Sequence, residues 1–162
     1  MATRVYVDTW LLRAFVSNNK HDASDARREL SKLRSSSFEA VIPQIVIGEA
    51  VSTILRDFSQ PNDIHNKLSK LYDELQPILN FRQCMPPISM LIVNQANELK
   101  QKDGNLKDTD AIIASHALLD PQSQRLLTSD TDLLNSRVVI QVEEELRGSG
   151  IRRQKLKVVD GL

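Results

Sequence analysis

The feature that most constrains this chain is the alternation of short apolar runs with longer stretches of helical period. Arg4 to Asp8 reads as a buried strand, with Val5 and Val7 facing one way and Tyr6 the other. Phe38 to Ile42 reads as a second strand, stopped by Pro43, and Arg125 to Thr128 as a third. Between them apolar residues recur at three- and four-residue intervals. Ala23, Ala26, Leu30 and Leu33 mark a helix over 22–34, and Ile47, Val51, Ile54 and Phe58 one over 45–58. Ile64, Leu68, Leu71 and Leu75 mark a third over 61–75, and Ile88, Ile92, Ala96 and Leu99 a fourth over 88–100. Thr9 to Val16 also reads as helical, and 110–119 as a helix apolar nearly all round, hence central and buried. A short helical turn near Leu133 and a further strand over Val138–Ile140 follow. Asp103-Gly104-Asn105 is a turn, and Pro77, Pro86 and Pro87 punctuate a connection of undefined structure around Phe81. Strands alternating with helices imply an α/β domain with a mostly parallel sheet of about four to five strands.

Length and charge bound what such a domain can do. A chain of 162 residues is one domain's worth and can bury a full core. Lys plus Arg equals Asp plus Glu, 21 each, so any nucleic-acid surface must be a local patch or arrive with a partner. Aromatics make up 4%, which argues against base stacking on aromatic platforms as the main binding mode. The single cysteine, Cys84, has no partner for a disulfide and no zinc spacing around it; it reads as a small packing residue. MATRVYVDTW enters a strand almost at once without a signal-peptide apolar region, and no apolar run approaches bilayer length. The expectation is a soluble, cytoplasmic protein with no membrane contact.

In open parallel sheets, sites form at the carboxyl ends of the strands. Asp8 ends the first strand and Asp130 lies just past the strand through Leu127, so parallel strands would let the two carboxylates converge. Capping the next helix explains an acid at either position equally well. Asp110 shares a helix face with Ile113, Ala114 and Ala117, and a buried carboxylate must be paired, neutralised or bound to a metal. Asp108 suits the helix N-cap, or a supporting place behind Asp110. Glu49 falls off the main apolar stripe, near Ser52 and Arg56, where a solvated glutamate is the default; Ile45 on the same face argues for partial cover.

Gathered together, such acids suit one chemistry. A phosphodiester is anionic and resists water, and hard divalent cations such as Mg²⁺ or Mn²⁺ take oxygen ligands, bind the phosphate and activate water. Without metal, adjacent carboxylates repel and some take up protons. Competing classes lack their signatures. There is no GxxxxGK[ST] or GxGxxG, so neither a phosphate-loop nor a dinucleotide site is expected. A dehalogenase-type phosphatase needs a second Asp where Trp10 stands, and a receiver-type domain needs an acidic pair and a late lysine that are absent.

VYVDTWLLRAF, IPQIVIGEA, DTDAIIASHAL and LLTSD, in that order and spacing, resemble the PIN-domain nucleases, and in particular the VapC-like toxins. The resemblance spans roughly Val5 to Ile140 and implies a three-layer α/β fold. It implies that Asp8, Glu49, Asp110 and Asp130 bind Mg²⁺ or Mn²⁺ and cleave RNA internally. Thr128 matches the hydroxyl partner of Asp130, and Thr9, Asp108 and Asp132 are candidates for supporting the same site. It also implies a homodimer and, for toxins, an antitoxin partner; RNA processing or surveillance, or binding without turnover, are the alternative roles. The nuclease-like domain is expected over 1–142, with 143–162 as an extension that belongs to it or forms a mobile tail. Arg147, Arg152, Arg153, Lys155 and Lys157 make that tail basic: a solvated strand or mobile end, or a phosphate-contacting patch in which Arg152, Arg153 and Lys155 are the candidates. Leu156 and Val158 alternate in a way that would let it add to a sheet edge. His21, His65 and His116 have no clustered partners and read as packed or surface residues.

Overall fold

The computed structural model describes residues 1–78 and 85–162. The readings made above for Cys84 and Phe81 lie outside the described residues.

Four strands form the centre: β1 (Thr3–Val7), β2 (Phe38–Val41), β3 (Arg125–Leu127) and β4 (Lys157–Val159). They lie in the order β2-β1-β3-β4, and every pairing is parallel. Val5 opposes both Ala40 of β2 and Arg125 of β3, which puts β1 between them. Its position explains its composition: Val5 and Val7 are fully buried and Tyr6 nearly so, because helices cover both faces of a parallel sheet.

Among the described residues eight helices flank the sheet: α1 (Thr9–Val16), α2 (Lys20–Leu33), α3 (Gln44–Asp57), α4 (Pro61–Leu75), α5 (Met90–Lys102), α6 (Asp108–Leu119), α7 (Thr131–Leu134) and α8 (Arg137–Gly148). Their starts are written in the sequence. Asn19 accepts from the amides of His21 and Asp22 at the head of α2, Pro61 opens α4 where its missing N–H costs nothing, and Ser89 accepts from Ile92 N after the prolines that precede α5. In α6, eight of twelve residues are buried, among them Ile113, Ala114, Ala117 and Leu118 at 0% exposure, as expected for a central helix.

Two expectations change. Val138–Ile140 is not a strand. Ser136 accepts from Val139 N at 3.3 Å and starts α8, in which Val139, Val142 and Glu143 are buried while Ile140 is 52% exposed. A cap and a 3.6-residue period outweigh the β preference of three branched residues. Nor is α6 capped by Asp108: Lys107 is the N-cap, and Asp108 is the first helical residue. The fourth strand is instead β4, near the end of the chain, paired with β3 from Arg125↔Lys157 to Leu127↔Val159.

The basic segment before β4 is anchored by Arg152, which is 2% exposed. Its Nη1 donates to the carbonyls of Ala117, Leu118 and Asp120 at 2.6–2.9 Å, and its Nη2 to Ser123 O and Gln154 O. These include carbonyls left without helical partners at the end of α6, where a cation also favours the helix dipole. Glu143 of α8, itself buried, lies 3.8 Å from Arg152 Nε. A guanidinium so enclosed is not available to a phosphate, which removes Arg152 from the nucleic-acid candidates. Among the described residues no helix is long and apolar enough to cross a membrane.

Candidate active site

Because all four strands are parallel, their carboxyl ends share one edge. There Asp8 N donates to Leu127 O at 3.0 Å, and Thr128 N to Val159 O at 2.9 Å, so the residues just past β1 and β3 are held side by side. Asp8 turns from the strand to cap α1, its Oδ1 accepting from Thr9 N at 2.6 Å. Its Oδ2 accepts from Thr128 Oγ1 at 2.5 Å, across 120 residues of sequence. Asp8 is 3% exposed and Thr128 is fully buried. Burial raises the Asp8 carboxyl above its ordinary range; the Thr128 and Thr9 hydrogen bonds oppose this, and the charges of Asp130 and Glu49 add to it.

Asp130 follows Thr128 by two residues, and its own N–H donates to Thr128 Oγ1 at 3.0 Å. Its Oδ1 caps α7 through the amides of Asp132 and Leu133, and its Oδ2 accepts from Lys107 Nζ at 2.9 Å. Burial alone would raise Asp130, but the Lys107 contact and the two amides outweigh it and hold the carboxylate below its ordinary value.

Glu49, one turn into α3, is half-buried and clasped from two sides. Thr9 Oγ1 of α1 donates to Oε2 at 2.5 Å, and Thr109 Oγ1 of α6 to Oε1 at 2.7 Å. Asp110 sits in the first turn of α6, 8% exposed, and its Oδ2 is buried with no hydrogen-bond partner. Burial pushes its carboxyl up to about 6, with the charges of Asp8, Asp130 and Glu49 adding to the rise and Lys107 opposing it. The positive end of α6 does not compensate for so many like charges.

All four acids line one cavity of about 310 Å³ at this edge, together with Thr9, Thr109 and Lys107. The four supporting candidates fall in different places. Thr9 and Thr128 each hold an acid, whereas the Asp108 side chain is 82% exposed and pairs with Lys100 away from the cavity. Asp108 is the first residue of the helix and not its cap, and it is the next residue, Thr109, that reaches Glu49 of α3. Asp132 serves Asp130 through its amide, while its side chain lines a neighbouring hollow with Asp103 and Asn135. Arg153 and Lys155 lie at the far end of the sheet, where the backbone N–H groups of Arg153 and Gln154 both donate to Pro121 O and Lys157 N donates to Gln124 O, beside the start of β3. They stand about a helix length, roughly 18 Å for twelve residues, from the acids. His116 is buried and its burial favours the neutral ring, in keeping with a packed residue.

Thr109 and Lys107 were not singled out in the sequence. The signal for Thr109 is its place beside Asp110 at a helix start; nothing local marks Lys107, whose partner is 23 residues away.

The donor set is all oxygen, which suits a hard divalent cation, and the unpartnered Asp110 Oδ2 is the atom such an ion would satisfy. Among the described residues no three acidic, histidine or cysteine side chains are grouped so as to hold a metal as they stand. Glu49 is turned to its two threonines and Asp130 to Lys107.

The domain is thus an α/β fold whose parallel sheet opens at its carboxyl edge on a pocket lined by four carboxylates. The sequence matches the PIN domain family over residues 5–138, from β1 into α8, and the chain belongs to that family. PIN domains are generally nucleases. No curated protein matches the sequence.

Proposed function

We propose that this protein is a Mg²⁺- or Mn²⁺-dependent endoribonuclease acting through the cavity at the carboxyl edge of the sheet. The observation that carries this reading is Asp110: a buried carboxyl oxygen with no partner, facing the same cavity as three further acids. An anion so placed is stable only with a proton or a cation, and Asp8, Glu49, Asp110 and Asp130 are the residues that would hold the ion. When bound, a divalent ion supplies Lewis acidity at the scissile phosphate and a water of lowered pKa.

The chain's own residues prepare that site. Thr128 and the Thr9 amide fix both oxygens of Asp8, and Thr9 and Thr109 fix both oxygens of Glu49. Lys107 keeps Asp130 ionised. In the metal-free protein Asp110 holds a proton below about pH 6; above that the proton is lost to solvent and the carboxylate is free to accept a cation.

The likeness of the four motifs to VapC-like toxins supports a toxin role with an antitoxin partner. Growth arrest on expression alone, relieved by a small neighbouring gene product, is its test. A homodimer has the same support, together with the exposed apolar side chains Met90, Leu91 and Val93 on α5. The enzymatic reading is tested with structured and unstructured RNA, with Mn²⁺ or with chelator. Cleavage should require the ion, and Asp8→Asn should reduce it at least about 100-fold with the fold intact by circular dichroism. Full activity of Asp8→Asn would sink the mechanism.

A further inference from the structure

The acid cavity presents an electrostatic problem to its substrate. Four carboxylates face the place where a polyanion must lie, so part of the substrate's charge needs a cation nearby that is not already spent. The basic tail does not supply one: Arg152 is buried, and Arg153 and Lys155 lie at the opposite end of the sheet.

A second hollow of about 450 Å³ adjoins the acid cavity, and the two share Trp10, Arg13 and Ser129 as walls. Three cations line this pair of hollows. Lys107 is paired with Asp130 at 2.9 Å, and Arg56 with Asp57 at 2.8 Å. Arg13 is exposed and, among the described residues, has no carboxylate at ion-pair distance. Of the acids in the second hollow, Asp57 is taken by Arg56 and Asp25 by Arg28 and His21, leaving Asp22 at the head of α2.

Its place follows from the helix. Leu11, Leu12, Phe15 and Val16 bury one side of α1, and Arg13 lies one turn beyond Thr9, whose hydroxyl holds Glu49. Half-buried Trp10 packs against the core beside it and forms a fixed wall.

We infer that Arg13 is a substrate-positioning residue that holds a phosphate of the nucleic-acid strand next to the scissile one, as the strand passes from the acid cavity into the second hollow. The inference rests on the nuclease reading given above. An arginine offers a planar fork of donors that matches phosphate oxygens, and here that fork is free. Arg13 touches the flanking strand and not the reacting atoms, so its loss weakens binding more than turnover.

The test compares Arg13→Gln, Arg13→Lys and Arg153→Gln with the parent chain, using a short single-stranded RNA and Mn²⁺. Arg13→Gln should raise KM about tenfold with kcat within about twofold, as for loss of an interaction made equally in ground and transition states. On the cleavage-dead Asp8→Asn background, the same change should weaken RNA binding by anisotropy and reduce the log–log salt slope by about 0.7, the share of one phosphate contact on a single strand. Arg13→Lys should restore the salt slope, which counts one charge, but only part of the affinity, because an ammonium lacks the fork, and Arg153→Gln should match the parent. A helix-end role for Arg13 would lower stability and leave KM and the salt slope unmoved. If the parent cleaves RNA and Arg13→Gln shifts neither, or if Arg153→Gln loses as much, the inference falls while the nuclease reading stands. If the parent neither binds nor cleaves RNA with the ion present, the nuclease reading falls and takes the inference with it.

Discussion

Replacing Asp110 with asparagine should make the metal-free protein more stable while abolishing its activity. The Asp110 carboxyl is 8% exposed and is raised from 3.8 to about 6, chiefly by burial and then by the charges of Asp8 and Asp130. At ~1.36 kcal/mol per pH unit, holding it ionised in the folded state costs roughly 3 kcal/mol. The sign follows from proton binding. Between 3.8 and about 6 the folded protein binds more protons at this group than the unfolded chain does, so stability falls as pH rises through that window. Below 3.8 both states are protonated and the cost vanishes; above about 6 it is complete. Asparagine has nearly the same shape and no charge at any pH, so the gain should be close to the full amount near pH 7 and fade towards about pH 4. For a chain of this size that gain corresponds to a rise in Tm on the order of 6–12 °C. The measurement is thermal unfolding in chelator across a pH series, repeated with Mn²⁺. The ion should stabilise the parent, increasingly as pH rises past about 6 and Asp110 gives up its proton, and should do little for Asp110→Asn. A variant no more stable than the parent near neutral pH, or a difference that does not change with pH, would refute the buried-charge reasoning.

Two further outcomes follow from other parts of the fold. Arg152→Met should cost about 3–5 kcal/mol in urea unfolding, because it strips donors from the end of α6 and leaves Glu143 with less countercharge; a cost under about 1 kcal/mol would mean those contacts do not anchor the tail. Thr109→Val frees one oxygen of Glu49 and should lower kcat about tenfold while changing stability by about 1 kcal/mol or less. Unchanged turnover in that variant would show that Glu49 does not need the α6 hydroxyl.

By itself the sequence determined the α/β class, the parallel sheet around β1 and most helix positions, because those rest on local periodicity and capping: Asn19, Pro61 and Ser89 act within a turn of themselves. It also set Asp8 and Asp130 at strand ends and Asp110 on a buried helix face. Val138–Ile140 was misleading because three residues carry a β preference that only the longer α8 period overrides. The tertiary structure alone decided the rest, since each remaining feature joins residues distant in the chain. Glu49 is drawn from an unremarkable helix position to the cavity by hydroxyls from α1 and α6, and Asp130 finds its lysine 23 residues back. Arg152, which looks from sequence like part of a solvated basic run, is buried because β4 pairs with β3 and carries it against the open carbonyls of α6. The same topology leaves Arg13 as the cation without an acid at the edge where the carboxylates gather, among the described residues that line it.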